Sequence, residues 1–211
     1  MERRPASARR TQAERVEEST RRLLDAALEL VAEQGFERTT AAEIGQRAGY
    51  SRNMVRDRFG GKDQLLEALL ERELRARLLP ALGRRREDSG LDQLLGQVDD
   101  LAAAARGATG GLRAIMMLTF EAAHAESVRR WYARTIERVR VALVDQLSRG
   151  QADGSVRPDL DVDREAEDYI SHALGVFFRW TLFPDDIDLP GEILAWRSRL
   201  RRTFASRAVA G

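Results

Sequence analysis

The sequence predicts an all-α protein of about nine helices, and three observations carry that prediction. Apolar residues recur at three- and four-residue steps along most of the chain. The segments between these stripes are short and rich in Gly, Pro and Asp. No run alternates polar and apolar residues with β-branched enrichment, so no strand is expected.

Residues 1–17 read as a flexible basic arm. The first ten hold four arginines against one glutamate, with Pro5 and no apolar periodicity. A first helix is expected over 18–34, where Leu23, Leu24, Ala27, Leu28 and Val31 form one stripe. Gly35 supplies a left-handed stop, and Phe36 folds back as an apolar clasp. Thr40 and Glu43 spell a capping box that opens a short helix to Ala48. Gly49 ends it, and Ser51 is expected to cap a third helix from Arg52 to Arg58. Gly60-Gly61 breaks the chain before a long helix over 62–79, with Leu65, Leu66, Leu69, Leu70 and Leu74 inward. Further helices are expected at about 91–106, 112–124, 127–149, 163–181 and 190–206.

Composition removes several function classes. The 211 residues carry 35 basic and 34 acidic side chains, a net charge of +1, which is not the signature of a polyelectrolyte. There is no cysteine, so disulfides, thiolate metal sites and Cys catalysis are excluded. Neither histidine, His124 or His172, has a neighbour that suggests a metal or a catalytic base. Gly150 to Gly154 lacks the alternating acids of a calcium loop. No catalytic residue, metal or cofactor is therefore expected. No stretch approaches the roughly 18 apolar residues of a membrane span, and no apolar signal core follows the N-terminus. A cytoplasmic protein without a membrane partner is the expectation.

The informative segment runs from Thr39 to Lys62. Two short helices joined by a tight turn containing Gly make a helix-turn-helix unit. Ile44 and Ala48 would pack on one side and Val55 and Phe59 on the other, with small Ala48 where the helices cross. The outer face of the second helix would carry Arg52, Asn53, Arg56 and Arg58. Arginine forks onto guanine O6 and N7, and asparagine pairs bidentately with adenine, so these side chains suit a major-groove reader. Thr40 and Ser51 sit at helix N-termini, where hydroxyls and free amides bind phosphate. A helical hairpin with a solvated arginine face fits the same residues.

Three runs carry a family resemblance. They are Ala27 to Thr40 (Ala-Leu-Glu-Leu-Val-Ala-Glu-Gln-Gly-Phe-Glu-Arg-Thr-Thr), Glu43 to Arg52 (Glu-Ile-Gly-Gln-Arg-Ala-Gly-Tyr-Ser-Arg) and Phe59 to Leu66 (Phe-Gly-Gly-Lys-Asp-Gln-Leu-Leu). Together they resemble the N-terminal DNA-binding domain of TetR-family transcriptional regulators. The rest of the chain is similar only in helix count and length. The resemblance implies a helix-turn-helix DNA-binding domain over 18–62 and a helical ligand-binding and dimerisation domain over 63–211. It implies that Thr40 meets phosphate, that Ser51, Arg52 and Asn53 open the recognition helix in the major groove, and that Lys62, the sole lysine, touches phosphate. Many members carry an aromatic where this chain has Arg56. Arg56 is then a candidate for an ionic phosphate contact or for reading guanine.

In the second half, Met116, Met117, Phe120, His124 and Trp131 cluster on two successive helices, with Phe177 on a later one. A pliable Met and aromatic lining suits a small hydrophobic effector, though ordinary core packing fits it too. A homodimer on a palindromic operator of double-stranded DNA is expected, because one helix-turn-helix offers few base contacts. The resemblance puts the dimer interface on the last two helices. Ala173, Leu174, Val176, Phe177 and Trp180 give an apolar band there, which also suits packing within one subunit. The expected function is a ligand-responsive regulator, a repressor released by its effector. A helical enzyme using the cavity, or an adaptor that lost DNA binding, are the competing classes.

Overall fold

The computed structural model describes residues 11–77, 88–107, 109–121 and 126–206. These residues form nine α-helices: α1 (Gln12–Gln34), α2 (Ala41–Arg47), α3 (Met54–Phe59), α4 (Lys62–Arg77), α5 (Gly90–Gly107), α6 (Thr109–Glu121), α7 (Glu126–Asp153), α8 (Val162–Leu182) and α9 (Leu189–Phe204). The only β-pairing among them is an isolated bridge between Val156 and Ala205. None of the described helices is long and apolar enough to cross a membrane. The chain divides into two compact units, residues 1–69 and 70–211, and the division falls inside α4.

In the first unit, α1 starts six residues earlier than its apolar stripe indicates. The Thr11 hydroxyl accepts from the Glu14 amide (3.2 Å), and the Thr11 amide donates to the Glu14 carboxylate (2.7 Å). That reciprocal cap satisfies two of the helix's orphan donors, so residues 12–17 of the expected flexible arm are helical. The arm's residues 1–10 lie outside the described residues. Leu23, Leu24, Ala26, Ala27, Leu30 and Val31 are buried on α1, while Leu28 is only half-buried. Val55, Leu65, Leu66 and Leu69 complete this core with Phe36. A fully buried Leu or Val contributes about 1.5–3 kcal/mol. Gly35 ends α1 at φ 80° and ψ 163°, in the positive-φ region that favours glycine but with ψ outside the left-handed helical well.

The α2–α3 turn differs from expectation in two ways. The closest approach falls at Gly45, where a Cβ would collide with the Ser51 carbonyl oxygen, and not at Ala48. Gly49 follows at φ 81°, which a side chain would disfavour. α3 begins at Met54, so Arg52 and Asn53 lie in the turn before it. The Met54 amide donates to the Ser51 carbonyl (3.0 Å), and that three-residue bond leads into the helix without a side-chain cap from Asn53.

In the second unit, α5 is central and packs against both α7 and α9. Ala102 and Ala105 are fully buried on α5 beside Leu94, Leu95 and Val98. The start of α5 is capped from the far end of α7. The Gly90 amide donates to Asp153 (2.8 Å) and the Leu91 amide to the Ser155 hydroxyl (3.2 Å). Asp161 caps α8 through the Arg164 amide (3.2 Å). The apolar band of α8 turns largely inward: Val176, Phe177 and Trp180 belong to this unit's own core. Phe178, Leu182 and Phe183 are the exposed large apolar residues nearby, 44%, 54% and 54% exposed.

Candidate nucleic-acid interface and effector cavity

Around α2 and α3 the side chains with donors fall into two groups. Arg47 forks onto Glu33 with two bonds of 2.9 Å, which ties the end of α2 to α1. Arg58 turns away from the outer face expected of it and donates to the Ser19 hydroxyl on α1 (2.9 Å). Lys62 places its ammonium over the Phe36 ring, 3.9 Å from the centroid, and donates to the Phe36 carbonyl oxygen at 2.6 Å. Burial holds the Lys62 pKa below the usual lysine value, against an upward pull from Glu37, Asp63 and Glu43.

The second group is Arg52, Asn53 and Arg56. All three are exposed, and none makes a side-chain hydrogen bond or ion pair with another described residue. Ser51 is exposed beside them. These donors stand on one turn and the first half of α3, held by Val55 beneath and the Gly45 contact behind. Thr40 is exposed at the start of α2, with its hydroxyl engaged in the capping box. It accepts from the Glu43 amide (3.2 Å) and donates to the Glu43 carboxylate (2.8 Å). These hydrogen bonds hold Glu43 below the ordinary carboxylate range.

The second unit contains a cavity of about 330 Å³, in the size range of small-molecule sites. α6, α7 and α8 supply most of its wall, with Leu70 and Glu73 from α4 and Gln97 and Leu101 from α5. Of the expected ligand residues, Met116, Trp131 and Phe177 line it. Met117 and Phe120 do not. Met117, one position further round α6, is 40% exposed. The Phe120 ring instead meets Phe178 edge-on, with centroids 4.9 Å apart. His124 lies outside the described residues.

The expectation built on Met and aromatic residues misses polar and charged lining residues: Glu73, Gln97, Thr119, Thr135, Arg138 and Tyr169. A signal for two of them was present. Gln97 falls between Leu94 and Leu101, and Thr135 falls four residues after Trp131, so each is a polar residue on an apolar stripe. Beside the cavity, Glu71 gathers three donors: Trp131 Nε1 (3.1 Å), Arg138 (3.2 Å) and Arg75 (2.8 Å). Burial pushes the Glu71 pKa up. Those donors, with the charge of Arg138, outweigh it and hold the group at about 2.

A family model described as "Bacterial regulatory proteins, tetR family" matches residues 23–69, from α1 into α4. The "Probable HTH-type transcriptional regulator ArpR" of Pseudomonas putida is 30% identical over 199 residues, covering 89% of this chain and 91% of that protein. The structure of TylP, a TetR regulator from Streptomyces fradiae, superposes with a TM-score of 0.70 at 27% identity, over 94% of this chain and 90% of that one. The structure of SmeT, the repressor of the Stenotrophomonas maltophilia multidrug efflux pump SmeDEF, gives a TM-score of 0.77 at 20% identity, over 91% and 94%.

Proposed function

The chain belongs to the TetR family of bacterial transcriptional regulators, and from that premise we propose that it is a ligand-responsive repressor. It acts as a homodimer on a palindromic operator and is released when a small apolar effector enters the cavity of the second unit. The observation that carries the reading is the sorting of donor side chains around α2 and α3. Arg47, Arg58 and Lys62 are spent on internal bonds. Arg52, Asn53 and Arg56 are left exposed with unused donors on one short element. Those are the side-chain types that read guanine and adenine edges.

Each residue then has a distinct role. Arg52 and Asn53 read base edges, Arg56 meets guanine or phosphate, and Ser51 and Thr40 bind backbone phosphate. Lys62 keeps a role at phosphate through the one N–H that its two carbonyl partners leave unused. Two copies related by a two-fold axis would address half-sites about 34 Å apart. The exposed α8 stripe of Ser171, Gly175, Phe178 and Leu182, spaced at helical steps, is a fitting surface for the second copy.

Coupling needs an element shared by both units, and α4 is that element. Trp131 lines the cavity and also bonds Glu71 on α4. An effector that shifts Trp131 changes what holds α4. A coupling of about 1–3 kcal/mol suffices for induction of several-fold to a hundred-fold.

The test is binding to fragments of the source genome, starting with DNA upstream of the protein's own gene, followed by footprinting. The expected result is a protected palindrome whose affinity falls with salt. Failure of every fragment to show a protected site at low salt would remove the DNA-binding reading and favour the adaptor.

A further inference from the structure

We propose that the cavity receives an apolar molecule with an acidic head, whose carboxylate pairs with the guanidinium of Arg138. This rests on the reading of the cavity as the effector site and adds the chemical class of the effector.

Arg138 is one of the lining residues. Its Nη2 donates to the Thr135 hydroxyl (3.1 Å) and to Glu71 (3.2 Å), while Nε and Nη1 have no partner among the described residues. Thr135 is a buried residue of the same wall, so its bond holds the guanidinium at the edge of the cavity. The Arg138 side chain is 55% exposed, which puts that edge at the mouth and not in a sealed interior. The Thr135 hydroxyl accepts from Arg138, and its own O–H has no acceptor among the described residues. The phenols of Tyr132 and Tyr169 line the wall without a hydrogen bond to any described residue. Burial pushes the pKa of both upward, so both keep their protons. These unused groups are all donors, and oxygen on a ligand is what they bind.

Charge favours an anion over a cation. Glu71 sits between Arg138 (3.2 Å) and Arg75 (2.8 Å), and it stays ionised down to about pH 2. Two guanidinium groups share that one carboxylate, so the cluster keeps an excess positive charge. Glu73, the acid in the wall, is buried and paired with Arg72 at 2.8 and 3.0 Å. Its charge is matched, and it offers an incoming ammonium no excess to meet. A head group at the mouth keeps water on its outer side, so it loses less hydration than it would in a closed interior. The apolar wall, including Leu101, Ile115, Met116, Leu174 and Phe177, takes the hydrocarbon body.

The experiment uses three eight-carbon probes, each below the concentration at which it aggregates: octanoate, octanamide and octylammonium. Binding to the full-length protein is followed by titration calorimetry and by tryptophan fluorescence, since Trp131 lines the cavity. At low salt octanoate is expected to bind about three- to tenfold more tightly than octanamide, with octylammonium weakest, and added salt narrows the gap. NMR of octanoate labelled with carbon-13 at the carboxyl follows the bound head itself. A guanidinium partner keeps its pKa at or below that of the free acid, whereas an apolar seat raises it. Arg138→Gln keeps a polar side chain and removes the charge. It is expected to bring octanoate down to the affinity of octanamide, whose own binding stays near the parent's and so reports an intact cavity. Binding of octanamide or octylammonium as tight as that of octanoate, a raised pKa of the bound carboxylate, or an octanoate preference that survives Arg138→Gln each overturns the acid proposal while the cavity remains a ligand site. If Arg138→Gln does not fold, the probe series and the bound pKa in the parent decide. Binding of no probe at all overturns both. Binding that survives filling the cavity with Leu174→Trp shows that the probes sit elsewhere and likewise overturns both.

Discussion

Arginine at position 52 and arginine at position 58 are chemically the same side chain six residues apart, and their surroundings give them opposite expected phenotypes. Arg52 is exposed with free donors, so Arg52→Ala is expected to leave the fold intact and cost roughly 1–3 kcal/mol of specific operator binding. Asn53→Ala is expected to do the same at a different base pair, and fluorescence anisotropy on matched operator and scrambled duplexes separates the two losses. Unchanged affinity of both variants on a footprinted operator sinks the groove assignment. Lys62 stands between these cases. Its ammonium is bonded to the Phe36 carbonyl and stacked on the Phe36 ring, so Lys62→Ala is expected to lower unfolding free energy by about 1–2 kcal/mol. The same variant is expected to make the salt slope of DNA binding shallower by about one unit, equally on all sequences. Denaturant unfolding with an unchanged midpoint would contradict the first part, and an unchanged slope the second. The type of side chain was legible in the sequence at each of these positions. Its commitment to Ser19 or Phe36 was not, because those partners are 39 and 26 residues away and nothing local encodes the pairing.

At the scale of the helix, periodicity placed all nine elements and misjudged their ends. The Thr40–Glu43 cap was readable, since its two residues sit at the fixed spacing the geometry requires. The Thr11–Glu14 cap has the same spacing and went unread, because the basic composition around it suggested an unstructured arm. α8 shows a different limit. Adjacent phenylalanines, Phe177 and Phe178, point about 100° apart on a helix, and the sequence does not say which faces the core. The structure buries Phe177 against the cavity and leaves Phe178 and Leu182 exposed. A charge intended to break a dimer therefore belongs at Phe178 or Leu182, since one at Phe177 would disrupt the subunit core. Phe178→Glu is expected to shift sedimentation at micromolar concentration from dimer to monomer with helicity retained, and to weaken operator binding through loss of the second half-site. A variant that sediments as the parent does would move the interface off this stripe.

Across the whole molecule, one helix passes from the unit that carries the candidate reading residues into the unit that carries the cavity, and Glu71 fastens that helix to α7. Glu71 is held near pKa 2 against an ordinary 4.5, so the stability it contributes is complete above about pH 4.5 and is lost as pH falls toward 2. The unfolding free energy of the parent should exceed that of Glu71→Gln by about 1–2 kcal/mol at neutral pH. The gap should close along the acid limb, and a gap independent of pH would mean the ion pairs contribute nothing. The same residue makes the coupling argument testable apart from stability. An effector shifts an equilibrium only by its differential affinity for the two states, and that difference must be felt by a group linking cavity to α4. Trp131 is in the wall and its indole N–H meets Glu71, so the bond is a physical link and not mere proximity. Trp131→Phe keeps the ring against the ligand and removes the donor. Both Trp131→Phe and Glu71→Gln are expected to bind effector and operator separately almost as the parent does. The ratio of operator affinities with and without saturating effector is expected to shrink by roughly 0.5–2 kcal/mol. If both variants keep the parent's ratio, release travels through another contact, and the clamp between α4 and α7 is structural only.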